Sequence, residues 1–150
     1  MKIALASDHA GFELKEAIKE YLKDFRVIDF GTTSVESMDY PDLGFAAAKA
    51  VADKTCDRGI LICGSGIGMS IVANKVPGIR AALCHTVQIA QLSRRHNDAN
   101  ILVLAGRFIS KYLAKDIIEA WLSTEFEGNR HQRRIEKITK FENNFSQKGE

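Results

Sequence analysis

The 150-residue chain has no apolar run long enough to span a membrane, no low-complexity tract, no internal repeat and no linker-like stretch. By those absences neither a membrane-spanning helix nor a multi-domain array is expected, and the length fits one domain that can bury a real core. Cysteine is scarce: Cys56, Cys63 and Cys84 are odd in number and show no CxxC spacing. A disulfide framework and a zinc site are therefore not expected, and a reducing compartment fits. The formal net charge of +2 is too small for a nucleic-acid binder. The first strand begins at once, with nothing resembling a signal peptide before it, so the expected location is the cytoplasm. The charge is unevenly spread. Residues 1–75 carry nine Lys/Arg against eleven Asp/Glu, residues 76–150 twelve against eight, so cations for an anionic ligand should come from the C-terminal half.

Against this plain background one segment stands out. A buried-type run, Ile60-Leu61-Ile62-Cys63, leads straight into Gly64-Ser65-Gly66-Ile67-Gly68 and then into the helix-compatible Met69-Ser70. Small residues at a strand-to-helix junction let backbone approach a ligand, and the N–H groups of the new helix point outward at partial positive charge, which suits an anion. A thiol beside a helix N-terminus has its thiolate form favoured, so Cys63 is a candidate nucleophile or proton acceptor. The spacing is not that of a Walker loop, because no Gly-Lys-Ser/Thr follows. It misses GxGxxG because Met69 stands at the last glycine, and it misses GxSxG because Cys63 stands where a glycine is needed. A tight turn with no ligand would use the same glycines.

Along the chain apolar runs alternate with amphipathic ones. The pattern predicts strands at Lys2–Ser7, Arg26–Phe30, Gly59–Cys63, Ile79–Cys84 and Ile101–Ala105. It predicts helices at Gly11–Lys23, from Asp42 as cap to about Asp53, at Ser65–Asn74, Val87–Arg95, from Ser110 as cap to Leu122, and from about Asn129 to Phe145. Such a rhythm implies an α/β fold: a three-layer αβα sandwich around a five-stranded, Rossmann-like parallel sheet. Residues 1–142 read as a single domain and 143–150 as a disordered polar tail.

Ligands in these sheets bind beyond the carboxyl ends of the strands, so Ser7-Asp8-His9, Cys63 to Gly68, His85 and Gly106-Arg107 should converge. Each group has a plainer explanation. Asp8 to Gly11 could be a cap and turn, His96-Asn97-Asp98 a helix C-cap, and Arg130 and Arg134, four apart and able to fork onto one phosphate, could belong to a surface network with Arg130 paired to Glu127 and Arg133 to Glu136. His96-Asn97-Asp98 lies at the end of the fourth helix and would reach the crevice only by a detour or from a neighbouring subunit.

Taken together, Ser7-Asp8-His9-Ala10-Gly11, Asp39-Tyr40-Pro41, Cys63 to Ile71, Ala73-Asn74-Lys75, Gly78 to Ala81, Ser93 to Asn100 and Gly128-Asn129-Arg130-His131 resemble, in order, the ribose-5-phosphate isomerase B family, which also holds galactose-6-phosphate and allose-6-phosphate isomerases. The resemblance runs from Lys2 to about Glu142. It implies a cofactor-free and metal-free aldose–ketose isomerisation of ribose 5-phosphate and ribulose 5-phosphate, in the non-oxidative pentose phosphate pathway, through an enediolate. By the same resemblance Cys63 is the base, the N–H groups from Gly64 through Ser65, Gly66 and Ile67 to Gly68 hold the oxyanion, Ser65 relays protons, and His96 is the acid that opens the furanose ring. His9, Arg107, Arg130 and Arg134 surround the phosphate, Asp8 and Asn97 hold hydroxyls, and Tyr40 lines the pocket. Family members are dimers or tetramers with sites between subunits, to which the His96-Asn97 segment and the C-terminal helix contribute across the interface.

Two positions depart from the family pattern. Ser65 stands where many members have Thr, which keeps the hydroxyl and loses the methyl that restrains it. Met69 stands where another branch has a Glu base; a thioether takes no proton, which leaves Cys63. A six-carbon aldose 6-phosphate is the alternative substrate, and a sugar-phosphate sensor without catalysis the alternative class, disfavoured because a sensor needs neither Cys63 nor His96.

Overall fold

The computed structural model describes residues 1–146. Five apolar segments form parallel strands: Lys2–Ser7 (β1), Arg26–Asp29 (β2), Arg58–Cys63 (β3), Ala81–Leu83 (β4) and Ile101–Ala105 (β5). They line up in the order β2-β1-β3-β5-β4. Six helices connect and follow them: Phe12–Ile18 (α1, continued by a 3-10 turn at Lys19–Leu22), Tyr40–Ala52 (α2), Ile67–Asn74 (α3), Val87–Asn97 (α4), Lys111–Ser123 (α5) and Arg130–Ser146 (α6).

The central strands β1, β3 and β5 are buried almost throughout, because both faces of the sheet are covered. On one face Ile3, Leu5, Ile60, Ile62, Leu102 and Leu104 meet Leu14 and Ile18 of α1, Ala90 of α4 and Ile117, Ile118 and Trp121 of α5. On the other, small residues bring helix and sheet close: Ala4 and Ala6 of β1 face Ala47, Ala48 and Val51 of α2, with Met69 and Ala73 of α3 alongside. The expected αβα sandwich is thus the observed one. No helix among the described residues is long and apolar enough to cross a membrane.

Several boundaries move, each for a local reason. Helix α2 begins at Tyr40 with Asp39 at its N-cap and Pro41 in the first turn, ahead of the expected cap at Asp42, because proline's fixed φ suits that turn. Helix α3 begins at Ile67 and not Ser65, since Gly66 takes a left-handed φ of 77° that a helix cannot contain. Strand β4 is only three residues long, because the Ile79 N–H turns back to the Val76 carbonyl and the Arg80 N–H donates to Asn100 Oδ1. Helix α4 continues through His96 and Asn97 and is closed by Asp98 at φ 45°, whose N–H returns to the Arg94 carbonyl. Helix α6 reaches Ser146, four residues into the segment read as a disordered tail; residues 147–150 lie outside the described residues.

The chain leaves β1 toward β2 on one side and enters β3 on the other. The sheet therefore has its topological switch point between β1 and β3, where a crevice opens beyond the strand ends.

Candidate active site

At that switch point the turn after β1 and the turn after β3 face each other. The Asp8 N–H donates to the Ile62 carbonyl at 3.2 Å, and Asp8 Oδ1 accepts from the Gly11 N–H at 3.0 Å, so one carboxylate oxygen closes the expected turn, whereas the N-cap of α1 is Gly11 and has no side-chain cap bond. His9 Nδ1 accepts from the Met38 N–H at 3.3 Å. An accepting Nδ1 places the ring proton of the neutral imidazole on Nε2, which leaves Nε2–H as a donor.

After β3, the Cys63 carbonyl accepts from the Gly106 N–H at 2.8 Å and the Gly64 carbonyl from the Arg107 N–H at 3.0 Å, which ties the glycine turn to the end of β5. Arg107 lies across Gly64: a methyl added there would sit 3.4 Å from its Cδ and Nη1. The first intrahelical bond of α3 runs from the Ser70 N–H to the Gly66 carbonyl, at 3.0 Å. The N–H groups of Gly66, Ile67, Gly68 and Met69 precede it and have no intrahelical acceptor. Ser65 Oγ accepts from one of them, Ile67, at 3.2 Å. The Tyr40 ring covers Gly68 so closely that an added Cβ would come within 2.7 Å of its Cζ.

The result is a cleft of about 470 Å³ lined by Asp8, His9, Ala10, Tyr40, Cys63, Gly64, Ser65, Ile67, Gly68, Ile71 and Arg107. Cys63 is only 5% exposed, yet it is one of the residues that line the cleft. Gly66 is buried beneath the turn and shapes it from below. Met69 is fully buried, facing Gly44 on α2, and does not line the cleft.

The other expected residues stand elsewhere on the same chain. His96 and Asn97 end α4, Arg130 and Arg134 are exposed on α6, and none of the four lines the cleft. His85 does not converge with the cleft either: β4 is the sheet's far edge, beyond β5, and His85 is exposed there. The expected pairing of the α6 arginines with acids is not formed. Glu127 faces His131 Nε2 at 3.7 Å and Arg95 Nε at 4.0 Å, and Glu136 accepts from Gln132. Arg130 and Arg134 make no ion pair among the described residues.

His96 stacks on His131, ring centroids 4.2 Å apart and planes 12° from parallel. Burial lowers the pKa of His131, and the charges of Arg130 and the neighbouring His96 and Arg134 act in the same direction against a smaller opposing effect of Glu127. Ligand atoms of His96, Glu127 and His131 lie within 4.8 Å of one another, the spacing of a metal site. Parallel rings, however, send their in-plane lone pairs side by side instead of converging, and Arg95, Arg130 and Arg134 make the surroundings cationic. The donor set is a poor fit for a dication.

Two buried groups were not legible as site features. Lys15, fully buried, donates to both oxygens of Asp29 at 2.7 and 2.8 Å and to the Thr32 carbonyl at 2.7 Å, pinning the start of the loop that ends at Met38 and Tyr40. Its spacing of three and seven from Ile18 and Leu22 puts it on α1's inward face, which was the available signal. The ring of His131 is the second. Burial also pushes up the thiols of Cys56 and Cys84, the latter to about 11.

A parallel α/β sheet with an anion-suited turn, a thiol and an arginine at its switch point defines a binding protein or enzyme for small anionic metabolites. The sequence profile of the Ribose/Galactose Isomerase family matches residues 3–138. The chain is 50% identical over 143 residues to ribose-5-phosphate isomerase B of Escherichia coli strain K12, covering 94% of this chain and 96% of that one. It superimposes on the Clostridium thermocellum ribose-5-phosphate isomerase B structure with TM-score 0.94 at 53% identity, over 97% of this chain and 99% of that one. It superimposes on the Mycoplasma genitalium ribose-5-phosphate isomerase B with bound ribulose-5-phosphate with TM-score 0.91 at 44% identity, over 95% and 96%. The chain belongs to the ribose/galactose isomerase family.

Proposed function

We infer that this chain is an isomerase that interconverts D-ribose 5-phosphate and D-ribulose 5-phosphate. The observation that carries the reading is the cleft itself, which Cys63, the glycine turn at the start of α3 and Arg107 line together. The reaction needs a base that takes the C2 proton and returns it to C1. Cys63 is that base: with Met69 buried under α2, it is the proton acceptor that the strand-to-helix turn offers. The oxyanion of the enediolate lies against the N–H groups of the Gly64–Gly68 turn, where preorganised donors are each worth ~3 kcal/mol in comparable sites. Ser65 relays protons between the two substrate oxygens, and Asp8 holds a sugar hydroxyl through the carboxylate oxygen that Gly11 does not occupy.

The phosphate is bound by His9, whose Nε2–H is free to donate, and by Arg107, with Arg130 and Arg134 completing the clamp. His96 protonates the ring oxygen to open the furanose, and Asn97 holds a hydroxyl. Since these four residues stand away from the cleft of their own chain, they serve the cleft of a second copy, and the working unit is a homodimer or tetramer. The reaction draws on no cofactor, and the pathway places the enzyme in the cytoplasm.

The test is an assay of ribose 5-phosphate, allose 6-phosphate and galactose 6-phosphate side by side with a chelator present. Ribose 5-phosphate is expected to be turned over best, with no loss to the chelator. Cys63→Ala is expected to abolish isomerisation and retain sugar-phosphate binding; full turnover in that variant removes the proposed base. Preference for a six-carbon substrate would keep the mechanism and change the sugar.

A further inference from the structure

We propose that His131 is a positioning residue for ring opening: stacked on His96, it holds that imidazole in the orientation from which it protonates the sugar's ring oxygen. The proposal rests on the reading of His96 as the ring-opening acid and adds the element that aims it. In the step, the bond between C1 and the ring oxygen breaks and its electron pair takes the proton from His96. The anomeric hydroxyl gives its proton to water, from which His96 is recharged.

His96 ends α4, where the backbone turns away at Asp98, so nothing in its own helix beyond that point fixes the ring. His131 supplies the missing wall. It is 5% exposed, and its backbone N–H is anchored to the Gly128 carbonyl at 3.0 Å. Its buried Nε2 has no hydrogen-bond partner, with Glu127 Oε2 no nearer than 3.7 Å. A buried imidazole that makes no hydrogen bond through Nε2 contributes its face, and that face lies 4.2 Å from the His96 ring at 12° from parallel. Burial and, after it, the Arg130 charge lower the His131 pKa, which favours its neutral form. A neutral π face attracts a protonated ring above it, whereas two charged rings would repel. Stacking therefore both orients His96 and tolerates its cationic form.

Ring opening can be separated from proton transfer because ribulose 5-phosphate carries its phosphate on the C5 oxygen and cannot close a five-membered ring on C2. Exchange of its C1 protons in deuterium oxide, read by proton NMR, needs Cys63 and the enediolate but no ring acid. The full chain and its His131→Ala, His131→Phe and His96→Asn variants are compared in two assays: turnover of ribose 5-phosphate and C1 exchange of ribulose 5-phosphate. His131→Ala is expected to lower kcat for ribose 5-phosphate by about 10- to 100-fold, the scale of a misplaced catalytic group, with exchange within about twofold of wild type. His131→Phe, which keeps a flat face and removes the nitrogens, should restore most of the turnover. Equal loss in both assays, a rise in KM alone, or a phenylalanine variant no better than alanine would overturn the proposal. If His96→Asn shows the split and His131→Ala does not, the proposal fails and the ring-opening role of His96 stands. If His96→Asn shows no split, or wild type shows no exchange, the reading beneath it fails.

Discussion

Alanine at Gly66 and at Gly68, two residues apart in one turn, should fail in opposite ways. Gly66 holds φ at 77°, a conformation that costs an L-residue ~1–2 kcal/mol. Its added methyl would also lie 2.4 Å from Leu83 Cδ1 and 3.3 Å from the Leu104 carbonyl oxygen. Leu83 can shift, but the carbonyl belongs to the buried strand β5, so overpacking adds about 1–3 kcal/mol. Together these predict a loss of about 2–5 kcal/mol and a Tm lower by about 5–15 °C. Gly68 has no such backbone demand. Its methyl meets the Tyr40 ring at 2.7 Å, but Tyr40 is 37% exposed and can swing outward, while alanine in a helix gains up to about 1 kcal/mol. Gly68→Ala should therefore melt at or above the wild-type temperature and show a several-fold rise in KM for ribose 5-phosphate, because Tyr40 leaves the cleft wall. Gly64→Ala, with no contact closer than 3.4 Å, is the near-neutral control for stability. Calorimetry with steady-state kinetics reads all three. Wild-type melting of Gly66→Ala, or an unchanged KM with lost stability in Gly68→Ala, would refute this account of the turn.

Lys15→Met should destabilise the fold by about 1–3 kcal/mol at pH 7, less than the loss of a fully isolated buried pair, because Asp29 keeps Lys19 at 2.7 Å. Burial alone would raise the Asp29 pKa, but hydrogen bonds from Lys15, Lys19 and the Gly31 N–H outweigh it and hold it below the usual carboxylate value. The pair's contribution is thus present above about pH 4 and lost as pH falls through the lower folded value, so urea midpoints of variant and wild type should converge as the pH is taken below the ordinary carboxylate range; a constant gap would contradict this. Iodoacetamide on the native protein should label Cys63 first, since Cys56 and Cys84 are fully buried with raised pKa values, and sugar phosphate should slow it. Peptide mapping that finds Cys84 labelled ahead of Cys63 would refute that order.

What the sequence disclosed and what it withheld divide along physical lines. Periodicity and glycine spacing located β1, β3, β5 and the turn after Cys63, because burial on both faces forces continuous apolar runs and because a left-handed residue at Gly66 must be small. The boundary of α2 is ambiguous in the sequence, since Asp39 and Asp42 both look like caps and Pro41 decides between them only through the geometry of the first turn. The convergence of His85 failed for a topological reason: being on an edge strand is a property of strand order, which no local pattern encodes. Glu127 likewise chose Arg95 and His131 over Arg130, a choice made by how α4 and α6 cross. Fold and turn were local, whereas the partners of surface charges and the stack of His96 on His131 were tertiary.

The separation of His96, Asn97, Arg130 and Arg134 from the cleft has a consequence that two dead variants can expose. If each working site takes Cys63 from one chain and His96 from another, a Cys63→Ala chain still carries a good His96, and a His96→Asn chain still carries a good Cys63. Apolar side chains border both halves: Ile67 and Ile71 are each 56% exposed on α3 beside the cleft, and Ile138, Phe141 and Phe145 are 50–72% exposed on α6 beyond the arginines. Pairing of copies through these faces would join the halves and bury the exposed surface in one event. Mixing the two variants after mild dissociation and reassembly gives, at random reassortment of a symmetric dimer, half hybrid dimers with one intact site of two, and so about one quarter of wild-type turnover. A site completed within one chain gives no recovery, because every chain in the mixture then lacks one of the two groups. Recovery that grows with the time allowed for subunit exchange distinguishes complementation from residual activity of either variant, and its absence despite proven exchange would place His96 in its own chain's cleft.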